Sequence, residues 1–223
     1  MTLRVSMIVR NEEHRHLLKA MDCIMEMGAY AYVTDDASDD DTAGICQDYG
    51  ATVRTNERPK FWEHEGKARQ EHLEWMDQFC QEGDWILALD GDETISDPDD
   101  LANVIHNAEM MKSTAISLRL YEFWTETQYR VDGLWFGNST PRLYKWQPGG
   151  QINDRPMGCG SEPTYVQQAS RFNQDRCRLL HWGYVRPEDR ERKHRAYSTR
   201  LGGHGHNTTH VDSIITEPML RTY

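Results

Sequence analysis

Short apolar runs alternate with amphipathic stretches through the first half of the chain, and that alternation predicts its elements. Leu3-Arg4-Val5-Ser6-Met7-Ile8-Val9 reads as a strand. Leu17, Leu18, Met21, Ile24 and Met25 then recur at helical spacing, so a helix is expected over about 13–26. Residues 29–34 form a second strand that ends at Asp35-Asp36. Ser38 or Asp39 suits the N-cap of a helix over 42–49, which Gly50 closes. A short strand at 51–53 and a polar loop at 55–64 follow. A helix over about 67–80 turns Leu73, Met76 and Phe79 or Cys80 inward, and 85–89 is the most buried strand. Asp97-Pro98-Asp99-Asp100 opens a helix striped by Leu101, Val104, Ile105, Ala108 and Met111, and 115–121 and 142–146 read as further strands.

Strands alternating with helices imply βαβ units, hence an α/β fold with a mostly parallel central sheet. The second half differs. It is rich in Trp, Tyr, Gly and Pro and shows little periodicity until Pro187-Glu188-Asp189-Arg190, a helix start. An irregular region of this kind suits substrate shaping at a sheet edge. Gly202-Gly203-His204-Gly205-His206 reads as a frayed tail in preference to a lid.

Two acidic clusters sit where apolar runs end. One is Asp35-Asp36-Ala37-Ser38-Asp39-Asp40-Asp41-Thr42 and the other is Asp90-Gly91-Asp92-Glu93. Carboxylates at the carboxyl ends of buried strands lie at the rim where open α/β sheets bind ligands. Crowded there, they repel one another unless a cation or donor groups neutralise them. The simplest expectation is a divalent metal holding a phosphate-bearing ligand.

Composition narrows the classes. The 223 residues carry a formal net charge of -11, which disfavours nucleic acid and anionic membranes as partners. Hydrophobic residues make up 38% of the chain and mean hydropathy is -0.80, so one core with sizeable exposed loops is expected. Five scattered cysteines without a C-x-x-C pair argue against a disulfide framework or a zinc site. No signal peptide is read at the start, and no apolar stretch approaches the roughly 20 residues of an integral membrane segment. A cytoplasmic location is the default expectation.

Met7-Ile8-Val9-Arg10-Asn11-Glu12-Glu13 resembles the opening strand and loop of family 2 glycosyltransferases. The Asp35–Thr42 cluster is similar to their DDgSxDgT segment, and Gly66-Lys67-Ala68-Arg69-Gln70 to the arginine-bearing helix start that follows it. Leu89-Asp90-Gly91-Asp92-Glu93 is similar to their DxD motif. Pro141-Arg142-Leu143-Tyr144 and His181-Trp182-Gly183-Tyr184 look like weaker landmarks. The resemblance spans roughly residues 3–95. It implies a GT-A fold, a Rossmann-like sandwich with an irregular C-terminal acceptor region. It further implies a single domain: a nucleotide-sugar half to about 112, an acceptor half over 113–200 and a tail over 201–223. The implied activity is an inverting, metal-dependent transfer of a sugar from a UDP- or GDP-sugar to a hydroxyl of a glycan, protein or small molecule.

The same resemblance implies roles. Asp92 ligates Mn2+ or Mg2+ and so serves catalysis, while Asp90 touches the ribose or reaches the metal through water. Side-chain alternation along an extended chain would put the two on one side. Asp35 or Asp36 receives the nucleobase and ribose, the main chain of Val9, Arg10 and Asn11 lines the base pocket with Gly91 nearby, and Arg69 is the nucleotide-side cation. His181 completes the metal shell or is an ordinary half-buried histidine. Many relatives carry a His-Glu pair where this chain has Gly160-Ser161-Glu162-Pro163, so the general base is open: Glu162 is the first choice, with Asp154 and Glu93 as rivals. Plainer readings stand beside these. Asp39, Asp40 and Asp41 suit a helix start; Arg186, Arg190, Arg192, Lys193 and Arg195 either touch the diphosphate or balance the acidic rim as a solvated face, the second being favoured for most of them; and Trp124, Trp135, Phe136 and Trp146 suit core packing as well as a sugar platform. Two other classes remain: a haloacid-dehalogenase-like phosphatase with Asp90 as nucleophile and Asp92 as acid/base, and a non-catalytic nucleotide-sugar or glycan-binding module.

Overall fold

A computed structural model of the chain describes residues 2–200 and 208–223. Its frame is laid down by the apolar runs. β1 (Leu3–Val9), β2 (Tyr30–Asp35), β3 (Thr52–Thr55) and β4 (Trp85–Ala88) pair in parallel in the order β3-β2-β1-β4. β5 (Glu93–Ile95), β6 (Ala115–Glu122), β8 (Ser139–Lys145) and β9 (Arg171–His181) extend the sheet as β4-β8-β6-β9-β5. β6 and β9 are parallel, whereas β8 and β5 run against their neighbours. The expected α/β sandwich with a mostly parallel sheet is therefore what forms. A separate ribbon joins β7 (Gln128–Arg130) to β10 (Leu220–Thr222).

Both faces of the sheet are covered. Alternation splits β4, whose Trp85 and Leu87 join one core while Ile86 and Ala88 join the other. α1 (Leu17–Glu26) and α4 (Leu101–Met110) pack on the first face through Leu17, Met21, Ile24, Leu101, Val104 and Ile105. α3 (Glu65–Met76) packs on the second through Leu73 and Met76, and α2 (Thr42–Asp48) contributes Cys46 to the first. All five cysteines are buried and free, where they act as small apolar side chains.

Register then assembles a rim. Val9 pairs with Asp35, which levels the carboxyl ends of β1 and β2. Glu122 and Glu93 both pair with His181, which brings the ends of β6, β5 and β9 to one height. The strand order reverses between β1 and β4, the crevice where such sheets bind ligands.

Several boundaries differ from expectation for local reasons. α1 starts at Leu17 because the preceding turn is tied to the acidic loop: Glu12 and Glu13 N–H groups donate to Thr42 Oγ1 at 2.8 and 3.2 Å. α2 is not capped by Ser38 or Asp39. Asp41 holds the cap position, Asp40 Oδ1 accepts from Thr42 N at 3.1 Å, and Ser38 is used by Asn11 and Asp35. α3 begins and ends earlier than its pattern suggests, and Met111 is 68% exposed because α4 ends at Met110 and leaves Met111 as its C-cap. β9 went unread because its first half, Arg171 to Arg176, alternates between exposed and half-buried positions with mostly polar residues.

Gly202–His206 lies outside the described residues. Beyond it, α6 (Thr208–Ser213) and β10 pack against a hydrophobic cluster of Trp124, Trp135, Tyr184 and Ile214. Arg130, 1% exposed, lies between Trp124 and Trp135 and donates to Ser213 O at 2.6 Å. α5 (Pro187–Arg200) lies across the carboxyl rim. No helix among the described residues is long and apolar enough to cross a membrane.

One buried histidine locks α3 to the sheet. His72 has Ser6 Oγ at 2.9 Å from Nε2 and Thr34 Oγ1 at 2.7 Å from Nδ1. Burial, with Arg54 and Arg69 nearby, pushes its pKa down to about 3. A neutral ring in the folded state and an ordinary one in the unfolded state make stability complete above the unfolded value and progressively lost as pH falls through about 6.5 towards 3. The urea midpoint of the wild type should fall between pH 7 and pH 4.5, and His72→Gln should show a shallower fall over the same window.

Candidate functional site

A cavity of about 680 Å³ opens at the carboxyl ends of β1 and β4, beneath α5. Ile8, Val9 and Arg10 come from the end of β1, and Asp36, Phe61 and Trp62 from the loops beyond β2 and β3. Asp90, Gly91, Asp92 and Glu93 come from the turn after β4, Glu122 from β6, Arg142 from β8 and His181 from β9. Lys193 and Tyr197 descend from α5, and His210 and Val211 from α6.

Asp90-Gly91-Asp92 is a tight turn rather than an extended stretch. Glu93 N donates to Asp90 O at 3.0 Å, and Asp90 N donates to Glu93 Oε2 at 2.9 Å. The turn aims the two aspartates at different partners. Asp90 lies 3.7 Å from Arg69 Nη2 and 3.5 Å from Arg142 Nη2. Burial opposes its charge, but Arg142 and Arg69 hold its pKa below the usual carboxylate range. Asp92 Oδ2 lies 3.0 Å from Lys193 Nζ and 3.3 Å from His181 Nε2. Against burial, those two cations keep Asp92 well below its ordinary value. His181 in turn pairs with Glu122 through Nδ1. Burial works against the imidazolium, but Glu122 and Asp92 prevail and push its pKa up to about 10.

Two glutamates behave differently. Burial pushes Glu93 up to about 7 although Arg142 Nη2 donates to it at 2.6 Å. Burial and then Asp92 push Glu12 up to about 7, and its Oε2 has no hydrogen-bond partner. Arg15 donates to the other oxygen, Oε1, at 2.9 Å.

The remaining sequence candidates are distributed as follows. Asp36 lines the cavity, but its carboxylate accepts from Asn56 Nδ2, Lys60 N and Phe61 N at 2.8, 2.8 and 2.9 Å and so suspends the loop that presents Phe61 and Trp62. Asp35 is buried behind the lining and bonded to Ser38. Asn11, at φ 54°, braces the acidic loop by accepting from Asp39 N at 2.8 Å and borders a shallower recess beside His14 and Arg186. Arg69 is held by Glu65 at 2.8 Å and lies over Phe61. Its helix reaches the rim because Gly66 packs directly on backbone, where a Cβ would meet Asn153 O at 2.5 Å. Glu162 does not line the cavity; its carboxylate accepts from Ser161 N at 3.1 Å. Asp154 is likewise outside, 3.4 Å from His64. Trp124, Trp135 and Trp146 are buried in the core and Phe136 packs against Tyr121 and Tyr129, so none of the four forms a platform in the cavity.

Sequence reasoning did not single out Lys193, which it grouped with four arginines as either diphosphate contacts or, by preference, a solvated basic face. The available signal was the i, i+4, i+8 spacing of Asp189, Lys193 and Tyr197, which places an acid, a base and a phenol on one face of α5. Asp189 and Lys193 are indeed buried. Glu12 and Arg142 lie in segments that carry the resemblance, which implies no role for them, and Glu122 carries no local signal; register brings Glu122 beside His181.

Asp92 Oδ2, the atom a divalent ion would claim, is already engaged by Lys193 and His181. Among the described residues no group of three or more His, Cys, Asp or Glu side chains is arranged to hold a metal ion. The donor set as arranged does not fit Mn2+ or Mg2+, which take several oxygen ligands at once.

No family model matches the chain, and no curated protein matches its sequence. Solved structures do share its fold. TarS of S. aureus matches at a TM-score of 0.55 and 17% identity over 96% of this chain and 42% of that one. TarS 1-349 in complex with UDP matches at 0.56 and 17%, and in complex with UDP-GlcNAc at 0.56 and 15%, each over 96% of this chain and 70% of that one. The chain thus spans less than half the length of the longer TarS chain. At these identities the likeness establishes the architecture, a Rossmann-like GT-A sandwich.

Gly183 lies directly against the charged cluster. A Cβ there would overlap Asp92 Oδ2 and Lys193 Nζ and come within 2.6 Å of His181 Nε2. Lys193 could swing aside, but Asp92 and His181 are short and packed. Gly183→Ala should therefore cost about 1–3 kcal/mol, the range for overpacking a tight interior. Chemical denaturation at pH 7 measures it.

Proposed function

We propose that this chain is a glycosyltransferase that takes a sugar from a nucleoside diphosphate and passes it to a hydroxyl acceptor. The observation that carries this reading is the meeting of Asp90 and Asp92 with Arg69, Arg142 and Lys193 in one cavity at the strand switch. The shared fold of TarS, solved with UDP and with UDP-GlcNAc, supports it. In this reading the nucleoside lies against Val9, Arg10, Asp36 and Phe61. The diphosphate faces Arg69, Arg142 and Lys193, and the sugar points towards Glu122, Asn138, Tyr184 and His210.

The acceptor oxygen attacks the anomeric carbon opposite the leaving group, which inverts the centre. A C–O bond forms to the acceptor as the C–O bond to phosphate breaks, and the electron pair goes to the diphosphate. Fixed cations stabilise the charge that grows there. A carboxylate takes the acceptor's proton. Glu12 suits that task better than Glu162, because it lines the cavity, keeps one oxygen unpartnered and has a pKa near the operating pH. A phosphatase reading has less support, since the Asp90 nucleophile it requires sits between two guanidinium groups.

Release of UDP from UDP-GlcNAc, with parallel assays on GDP-, ADP- and dTDP-sugars, tests the proposal. Turnover of one donor is expected, with a rate that rises as pH passes through about 7 and Glu12 loses its proton. Glu12→Gln should lower kcat by about 10²–10⁴-fold while leaving affinity for the nucleotide nearly unchanged. Glu162→Gln should stay close to wild type, and the reverse pattern would return the base to Glu162. Binding without turnover would point to a non-catalytic module.

A further inference from the structure

We infer that Lys193 is the cation that meets the donor's diphosphate, in the position beside Asp92 that a divalent ion would otherwise occupy, so that the cavity binds a nucleoside diphosphate without added metal. The inference rests on the nucleotide-sugar reading above and assigns the groups that receive the leaving diphosphate.

The first support is position. Lys193 lines the cavity, with Nζ 3.0 Å from Asp92 Oδ2, 3.1 Å from His181 Nε2 and 4.6 Å from the centre of the Tyr184 ring. An ammonium has three donors, and Asp92 is its carboxylate partner here, so donors remain for phosphate oxygens. The second support is the backbone around it. Residue 183 has no side chain at the one place where a Cβ would overlap both Asp92 and Lys193. Trp182 N donates to Asp92 O at 2.8 Å, which fixes the end of β9 to the Asp90–Asp92 turn.

The third support is that α5 is firmly seated. Arg190 Nη1 donates to Tyr184 O at 2.6 Å, and Asp189 lies 3.4 Å from Arg15 Nε. Lys193 therefore approaches Asp92 from a fixed helix. The fourth support is the separation of the two aspartates. Asp90 faces Arg69 and Arg142 while Asp92 faces Lys193 and His181, so the pair does not offer one ion the shared set of oxygens it needs.

Chemically, the ammonium does what a monovalent point charge can do. As the bond between the anomeric carbon and the phosphate oxygen breaks, both electrons go to the β-phosphate. Lys193, with Arg69 and Arg142, hydrogen-bonds the oxygens on which that charge appears. The acceptor's proton leaves to a carboxylate, and no redox partner enters.

Calorimetric titration of UDP into the intact chain, in EDTA and in Mn2+, tests the inference, with GDP, ADP, CDP and dTDP run alongside. The wild type should bind its nucleotide in EDTA with an affinity within about threefold of that in Mn2+, as expected when the charge-assisted contacts come from the protein. Electron paramagnetic resonance should show no tight Mn2+ uptake by the wild type, with or without nucleotide. Lys193→Met should weaken nucleotide binding in EDTA by about ten- to a hundredfold, the value of one hydrogen bond to a charged group. Because Asp90 stays with Arg69 and Arg142 and Asp92 with His181, Mn2+ should not restore that affinity to the variant. Nucleotide binding by the wild type that vanishes in EDTA and returns with Mn2+ would overturn the inference and leave the proposed function standing. Failure of every nucleotide to bind under both conditions would overturn both. The wild-type comparison decides the matter even if Lys193→Met does not fold.

Discussion

Carboxylates crowded at one rim must be neutralised, and the fold answers that demand with basic side chains from distant parts of the chain. Glu12, Asp36, Glu65, Asp90, Asp92, Glu93 and Glu122 all line one cavity. Arg69 arrives from α3, Arg142 from β8, His181 from β9 and Lys193 from α5. Each pairs with a carboxylate from another element, so charge compensation also cross-links the two halves of the sandwich. Where such a pair is buried, loss of one partner strands the other and typically costs about 3–5 kcal/mol. The second half of the chain is therefore an electrostatic necessity for the first.

Two different devices bring these groups together. Parallel pairing of β1, β2 and β4 aligns strand ends that an apolar core has already buried. Beyond β4 the sheet turns to mixed pairing, and Glu93, His181 and Glu122 meet because three strands of different direction reach the same level. The solved structures of similar fold match almost the whole chain, the mixed portion included, at low sequence identity. What is shared is the fold.

The parallel portion was legible because its signals are local. Short, largely apolar runs gave β1, β2 and β4, helical spacing gave α1 and α4, and the two acidic clusters fell at strand ends. The second half was less legible because its signals are not. β9 is polar along its outer half, Trp124 and Trp135 enclose Arg130 rather than a sugar, and α5 presents a polar inner face that periodicity of apolar residues cannot detect. Asp90 and Asp92 were found by motif, but their divergence was hidden because the stretch turns where alternation assumed extension. Glu162 attracted attention through its glycine-rich loop, yet loop shape says nothing of the direction in which a side chain points.

Arg130 grips α6 chiefly through main-chain oxygen. Its guanidinium reaches Ser213 O, and the ribbon of β7 and β10 continues the hold through backbone pairing. Backbone contacts are indifferent to the side chains that ride on them. The side chains that α6 contributes to the cavity wall are another matter: His210 packs on Trp135 with ring centroids 4.3 Å apart, and Val211 is buried. One end of the cavity is thus cut from the same packing that anchors the carboxyl-terminal segment, so whatever reshapes that wall also tugs on its mooring.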